Sequence, residues 1–309
     1  MRGFVLFLLF FLMHVLNAQP LARYNLYPFN PNFANPAATG LTNCLVLNAT
    51  DMHQWVGIAD APTIQSFSIQ KGRQFSKTKK HGLGANLIRD TNGPSKSLGG
   101  ELLYSFHVLI GRGRTTWLSL GLSGNIEQRK LDETGFSPIF DPRVTGGVVQ
   151  ELAYNASSGV FVYNDRYFAG FAVYNLLPVN NTLGMGYGGD RYYMSFQGGY
   201  LFASRRIPAT IQTSFQGSMG TDVFQFDFTN RIRFENNVWT GLTLRKYSGE
   251  FESAGQNAIV FIGYDWNSWS FSYNYTIDIN GTQFHHFGTH QISLGYKICP
   301  DKYSCPTYK

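Results

Sequence analysis

From about residue 40 to near the C-terminus, apolar and polar side chains alternate with a period of two. Trp269, Phe271, Tyr273 and Tyr275 interleave with Ser270, Ser272, Asn274 and Thr276. Phe224, Phe226 and Phe228 interleave with Gln225, Asp227 and Thr229. Leu118, Leu120 and Leu122 do so with Ser119, Gly121 and Ser123, and Ile292, Leu294, Tyr296 and Ile298 with Ser293, Gly295 and Lys297. Successive side chains of a strand point to opposite sides, so this pattern predicts strands with one apolar and one polar face. The polar set is mostly Ser, Thr, Gly, Asn and Gln rather than charges. That suits the lumen of a transmembrane barrel, whose apolar set faces lipid, better than a sheet face washed by bulk water.

The expected fold is all-β, a transmembrane antiparallel β-barrel of about 14 strands, within a range of twelve to sixteen. The predicted strands are 43–50, 61–70, 82–90, 98–109, 115–127, 159–164, 166–174, 190–202, 208–216, 222–233, 238–247, 256–265, 268–277 and 289–298. Val144 to Tyr154 stands as an extra candidate. An even count puts both ends on one side, as single-chain outer-membrane barrels require. With both ends periplasmic, the periplasmic turns are shorter than most extracellular loops, except for a proposed turn at 71–81.

Composition agrees. Of 309 residues, 14% are charged and 16% aromatic, with 33 Gly and 12 Pro. Soluble domains carry about 25% charged residues, and disordered chains are aromatic-poor. No run reaches the roughly 18 apolar residues of a spanning helix. Arg2, the apolar run Phe4 to Leu16 and the small exit at Asn17-Ala18 predict a signal peptide over 1–18. The expected layout is then a 19–40 segment plugging or lining the barrel, the barrel at 41–298 and a periplasmic tail at 299–309. Cys299 and Cys305 flank a short loop and are expected to be a staple or free thiols, leaving Cys44 within a strand.

The net charge is +6. Lys71, Arg73, Lys77, Lys79 and Lys80 crowd one predicted periplasmic turn, Arg112 and Arg114 the next, and Arg205 and Arg206 another, with no acid among them. They are read either as solvated turns or as a docking face for an acidic periplasmic partner. Gly184 to Gly189 spells G-x-G-x-x-G but lacks the following helix of a dinucleotide site. His285, His286 and His290 cluster without a nearby acid or Cys, and Ser105 and His107 share a strand face without any accompanying motif. No catalytic residue, metal or other cofactor is expected.

The stretch Tyr24 to Pro62 precedes and includes the first strand. Asn30-Pro31 and Asn35-Pro36 make a rigid lead-in, rich in turn residues, that cannot be a helix. Phe29 and Phe33 need apolar cover there, which predicts that the segment threads the barrel at least partly. Gln54-Trp55-Val56-Gly57 follows the strand. Trp55 is read equally as an aromatic-girdle residue facing lipid or as a loop anchor for a partner protein.

The Asn-Pro pairs with NPA, and QWVG followed by Ala61-Pro62, resemble the N-terminal signature of the PorP/SprF family. His81 to Asn86, Asn92-Gly93-Pro94, Phe140-Asp141-Pro142, Asn175-Leu176-Leu177, Gly241 to Arg245, Ile262 to Asp265 and Thr289 to Tyr296 are similar to later family segments in order. The resemblance implies a non-enzymatic outer-membrane protein of type IX secretion and gliding in Bacteroidetes. Its implied partners are outer-membrane lipids, secretion or gliding proteins, periplasmic or peptidoglycan-binding lipoproteins and secreted surface adhesins, with no nucleic acid. Residues Asn30, Pro31, Asn35, Pro36, Gln54, Trp55, Val56, Gly57, Lys77, Lys79, Lys80, Arg112, Arg114, Arg205 and Arg206 are the expected partner contacts. The alternative is a FadL-like channel for hydrophobic solutes, whose N-terminal Asn-Pro-Ala segment FANPAATGLT also resembles.

Overall fold

A computed structural model describes residues 30–110, 115–135, 146–177, 192–203, 208–220, 223–249, 255–279 and 285–300. The chain forms 14 strands: β1 (Leu45–His53), β2 (Thr63–Ser76), β3 (Lys79–Asn92), β4 (Ser95–Ile110), β5 (Thr116–Asp132), β6 (Val148–Tyr163) and β7 (Tyr167–Tyr174), then β8 (Tyr193–Ala203), β9 (Ala209–Met219), β10 (Val223–Phe234), β11 (Val238–Gly249), β12 (Gly255–Trp266), β13 (Trp269–Asp278) and β14 (Thr289–Ile298). Every strand pairs antiparallel with its sequence neighbour, and β1 pairs with β14 to close the barrel. Closure leaves no strand edge, the condition for a sheet to cross lipid.

The alternation sorts as expected. Phe224 and Phe228 are exposed while Gln225, Asp227 and Thr229 are buried; Trp269, Phe271 and Tyr273 are exposed while Ser272, Asn274 and Thr276 are buried. Leu83, Leu87, Leu102, Leu120, Leu122, Ile262 and Ile292 join the outward set. A soluble protein rarely exposes so continuous an apolar band, which a bilayer covers. Tight turns use asparagine in the left-handed region, Asn237 (φ 65) and Asn267 (φ 51), where its short polar side chain lowers the steric cost.

Several strands are longer than predicted. β6 begins at Val148, so the residues that looked like an extra strand are its first half. There Val148, Leu152 and Tyr154 point outward, and Glu151, Ala153 and Asn155 inward. The predicted 71–81 turn shrinks to Lys77 and Thr78, because β2 and β3 pair as far as Ser76 and Lys79 through a register shift at Gln74/Ser76. Lys71, Arg73, Lys79 and Lys80 therefore belong to strands. Short connections gather at the end where β1 begins and β14 ends, and the strands joined by the longest connections, β5 to β6 and β7 to β8, are linked at the other. That asymmetry marks the first end as periplasmic. The signal-peptide reading, residues 19–29, Arg112, Arg114, Phe140 to Pro142, Gly184 to Gly189, Arg205, Arg206 and Cys305 lie outside the described residues.

Candidate functional site

The distinctive feature is the segment 30–41, which lies within the barrel. Each asparagine before proline is held non-helical, Asn30 at φ −146, ψ 80 and Asn35 at φ −164, ψ 118. Each proline then opens a three-residue 3-10 turn, Pro31–Phe33 and Pro36–Ala38, because proline restricts its predecessor while its own fixed φ suits the first helical position. Asn35 caps the second turn by accepting from the Ala37 backbone N–H at 2.9 Å. The lead-in read as non-helical thus contains two single turns.

A row of small residues receives this segment. Cross-strand pairing joins Gly72 to Gly82, Gly82 to Ser105, Ser105 to Gly121, Gly121 to Gly159 and Gly159 to Ala172, one line across β2–β7. A Cβ on Gly82 would overlap the Thr39 carbonyl, on Gly121 the Ala37 backbone, on Gly159 the Asn35 side chain, and on Gly72 the Gly40 carbonyl. The plug backbone lies directly against the barrel wall, an approach that only the absence of a side chain permits.

Polar side chains beside the row take up the plug's backbone groups, which would otherwise be buried without partners. Ser119 Oγ donates to the Ala37 carbonyl at 2.7 Å, Ser105 Oγ to that of Thr39 at 2.7 Å, and the Gly40 N–H donates to Gln70 Oε1 at 2.9 Å. Asn35 Nδ2 donates to the carbonyls of Val160 (3.0 Å) and Phe171 (3.2 Å). Asn30 bonds Ser68 and Gln70, and Asn32 donates to Asn86 Oδ1 at 2.9 Å. Ala37, Ala38 and Leu41 pack on Phe161 and Tyr163, with Trp117 and Phe168 alongside. Phe33 is half-buried, and its carbonyl accepts from the Tyr174 hydroxyl at 3.2 Å.

Lys80 was expected on a solvated docking face, and the structure corrects this. Its side chain points into the lumen, where Nζ donates to the Leu41 carbonyl at 2.7 Å and sits 5.1 and 5.2 Å from the ring centres of Trp117 and Tyr163. The lumen-facing phase of β3 takes Lys80 with Gly82, whereas Lys79 faces out. Ser105 and His107 share a face as predicted, and Oγ lies 2.8 Å from Nε2. His107 Nε2 also meets the Thr39 carbonyl at 3.0 Å, and Nδ1 faces the Tyr163 hydroxyl at 3.1 Å. One neutral tautomer satisfies both contacts: Nε2–H donates to Thr39 and Nδ1 accepts from Tyr163. In that tautomer Nε2 cannot take a proton from Ser105, so the pair is a plug seat.

The seam between β1 and β14 is fastened at both ends. At the periplasmic end a disulfide joins Cys44 to Cys299. Cys299, expected either in a staple with Cys305 or as a free thiol, is thus bridged to Cys44 instead, and Cys44 lies just before β1 rather than within a strand. At the extracellular end Val56 and residues 287–288 exchange backbone bonds, Val56 N–H to the Gly288 carbonyl (3.0 Å) and Phe287 N–H to the Val56 carbonyl (2.8 Å). Trp55, at φ 46, donates from Nε1 to Asp278 Oδ2 at 3.2 Å, and His286 Nε2 lies 3.1 Å from the same oxygen. β1 ends at His53, so Trp55 does not continue the strand as a lipid-facing girdle residue; its indole is half-buried against this clip. Gln54 closes the loop, its N–H donating to the Pro62 carbonyl at 2.8 Å. The acid that the histidine cluster lacked in sequence is Asp278. Among the described residues no group of three or more His, Cys, Asp or Glu is placed to hold a metal ion.

The profile of the PorP/SprF family, described as type IX secretion system membrane protein, matches residues 16–296. The chain belongs to the PorP/SprF family. It is an outer-membrane component of type IX secretion. Among solved structures, a FadL homologue of Pseudomonas aeruginosa is 12% identical, covering 93% of this chain and 95% of that one with a TM-score of 0.51. Acinetobacter baumannii Omp33 is 7% identical, covering 84% of this chain and 99% of that one at 0.47. BamA from Haemophilus ducreyi is 9% identical, covering 82% of this chain and 70% of that one at 0.45. No curated protein matches. The expected contacts of this PorP/SprF barrel occupy three separate places. Asn30, Pro31, Asn35 and Pro36 lie in the lumen against β2–β7, Gln54 to Gly57 at the extracellular end of the seam, and Lys77 and Lys79 exposed at the periplasmic turn.

Proposed function

We propose that the chain is a non-catalytic scaffold that assists export or surface tethering of type IX cargo, including gliding adhesins, and docks periplasmic or peptidoglycan-binding lipoproteins through its periplasmic end. The observation carrying this reading is the plug. Twelve residues inside the barrel hydrogen-bond to β2 through β7 and leave no lumenal glycine of that row uncovered, which suits a rigid platform better than a wide conduit. Exposed Lys77 and Lys79 supply positive charge at the periplasmic turn for an acidic partner.

Crosslinked pull-down from native membranes tests the reading. Envelope or cargo proteins should co-purify with the wild type, and deletion should leave surface adhesins unexported. A FadL-like channel would bind hydrophobic solutes with no partner, but such a path wants a mainly apolar lining. The lumen here presents Ser68, Gln70, Asn86, Ser119, Gln197, Asn274 and Gln291. Solute uptake in proteoliposomes that contain this chain alone would replace the scaffold with the channel.

A further inference from the structure

The outward face of β2 reads Phe67, Ile69, Lys71, Arg73 and Phe75 toward the periplasmic end. Strand alternation places Lys71 and Arg73, about 7 Å apart, on the lipid-facing side directly below an apolar run. Elsewhere at this end several outward residues near the strand termini are aromatic, among them Tyr167, Phe202, Phe234, Trp266 and Trp269. These fit the periplasmic girdle of a membrane barrel, and in the β2–β3 sector two cations join it just inside Phe75. Among the described residues no carboxylate is ion-paired with Lys71 or Arg73. Beside them the His81 ring stacks on Phe75 with centroids 4.4 Å apart, and its Nδ1 lies 2.7 Å from the Tyr104 hydroxyl, giving an aromatic floor with polar edges.

We propose that Lys71 and Arg73 hold the phosphate of an anionic phospholipid of the periplasmic leaflet. Arg73 supplies a planar fork suited to phosphate oxygens and Lys71 a point charge. The acyl chains lie along Phe67, Ile69 and Leu87, which register places above the cations, and along Leu83, directly opposite Lys71. An acidic protein would have to enter the bilayer edge to reach the same groups. A lipid is already there, and burial at the membrane boundary strengthens its attraction relative to open water. The site is independent of cargo or partner binding.

Native mass spectrometry of the full-length protein in detergent, titrated with phosphatidylglycerol against phosphatidylethanolamine, tests this. The wild type should retain one phosphatidylglycerol preferentially. Lys71→Ser with Arg73→Ser should weaken retention about twenty-five-fold, at roughly fivefold per cation. Lys96→Ser with Lys130→Ser, at the opposite rim, should leave it unchanged. Heat-modifiable migration checks folding, and Lys71→Gln alone should still show about a fivefold loss. Equal retention by the double variant, no preference in the wild type, or loss in the opposite-rim variant overturns the proposal. Displacement of the lipid by millimolar inorganic phosphate would overturn it in favour of a free-anion site.

Discussion

The two halves of the lumen solve the same problem differently. Across β2–β7 the inward face is a row of Gly, Ser and Ala flanked by Ser, Gln and Asn, and a separate piece of chain lies on it. Across β10–β12 inward side chains pair with one another across strands: Arg245 forms a bidentate pair with Asp227 at 2.8 and 2.6 Å, and the hydroxyls of Thr229 and Thr243 meet at 2.7 Å. At the periplasmic end of that half, Asp265 gathers Arg233, the Trp239 indole N–H and Ser270 Oγ. The first half bonds an inserted segment along its wall, and the second relies on pairs between neighbouring strands. A polar lumen can thus be completed by tertiary insertion or by register, and this chain uses one on each side.

The largest expected effect tests the half built on cross-strand pairs. Both side chains of the Asp227–Arg245 pair are almost wholly buried, 1% and 3% exposed. Asp227→Ala should cost about 3–5 kcal/mol of barrel stability, measured by urea unfolding in lipid vesicles. A cost near zero would mean that water reaches Arg245. Next is the seam. Cys44→Ser with Cys299→Ser should cost about 2–4 kcal/mol, because the bridge closes a 255-residue separation, and reductant should reproduce the loss in the wild type but not in the variant.

The third prediction separates the halves. Gly121→Val places a side chain where Ala37 lies and should cost about 1–3 kcal/mol, displacing the plug while the heat-modifiable barrel survives. Asn35→Ala should cost a similar 1–3 kcal/mol by stranding backbone groups. Combined, these two should be strongly non-additive, whereas Asp227→Ala should add to either. Additivity of the plug pair would mean that Gly121 and Asn35 do not share one seat. The smallest effect is at the rim. Lys77→Glu should change stability by less than about 0.5 kcal/mol, yet weaken recovery of periplasmic partners at low salt.

Much of the architecture was legible in the residues. Strand alternation depends only on neighbours one and two positions apart, so the count of 14, the lipid and lumen faces and the placement of long loops could all be read from the chain. β6 was truncated because Glu151 and Asn155 interrupt the apolar impression while keeping the period. Lys80 falls in the predicted turn because β3 begins three residues earlier than the expected 82, and within the longer strand its phase turns the side chain to the lumen.

The chain by itself determined a barrel of alternating strands and a proline-ordered segment ahead of it, since both follow from local sterics and periodicity. Tertiary structure alone decided that Gly72, Gly82, Ser105, Gly121, Gly159 and Ala172 form one row, because register couples strands far apart in sequence. It also decided that Cys44 meets Cys299, since only closure of β1 on β14 brings them together. Asn35, 125 and 136 residues from its carbonyl partners Val160 and Phe171, acquires its role as the plug's anchor in the same way. No local pattern encodes a contact whose partner is chosen by the circumference of the barrel.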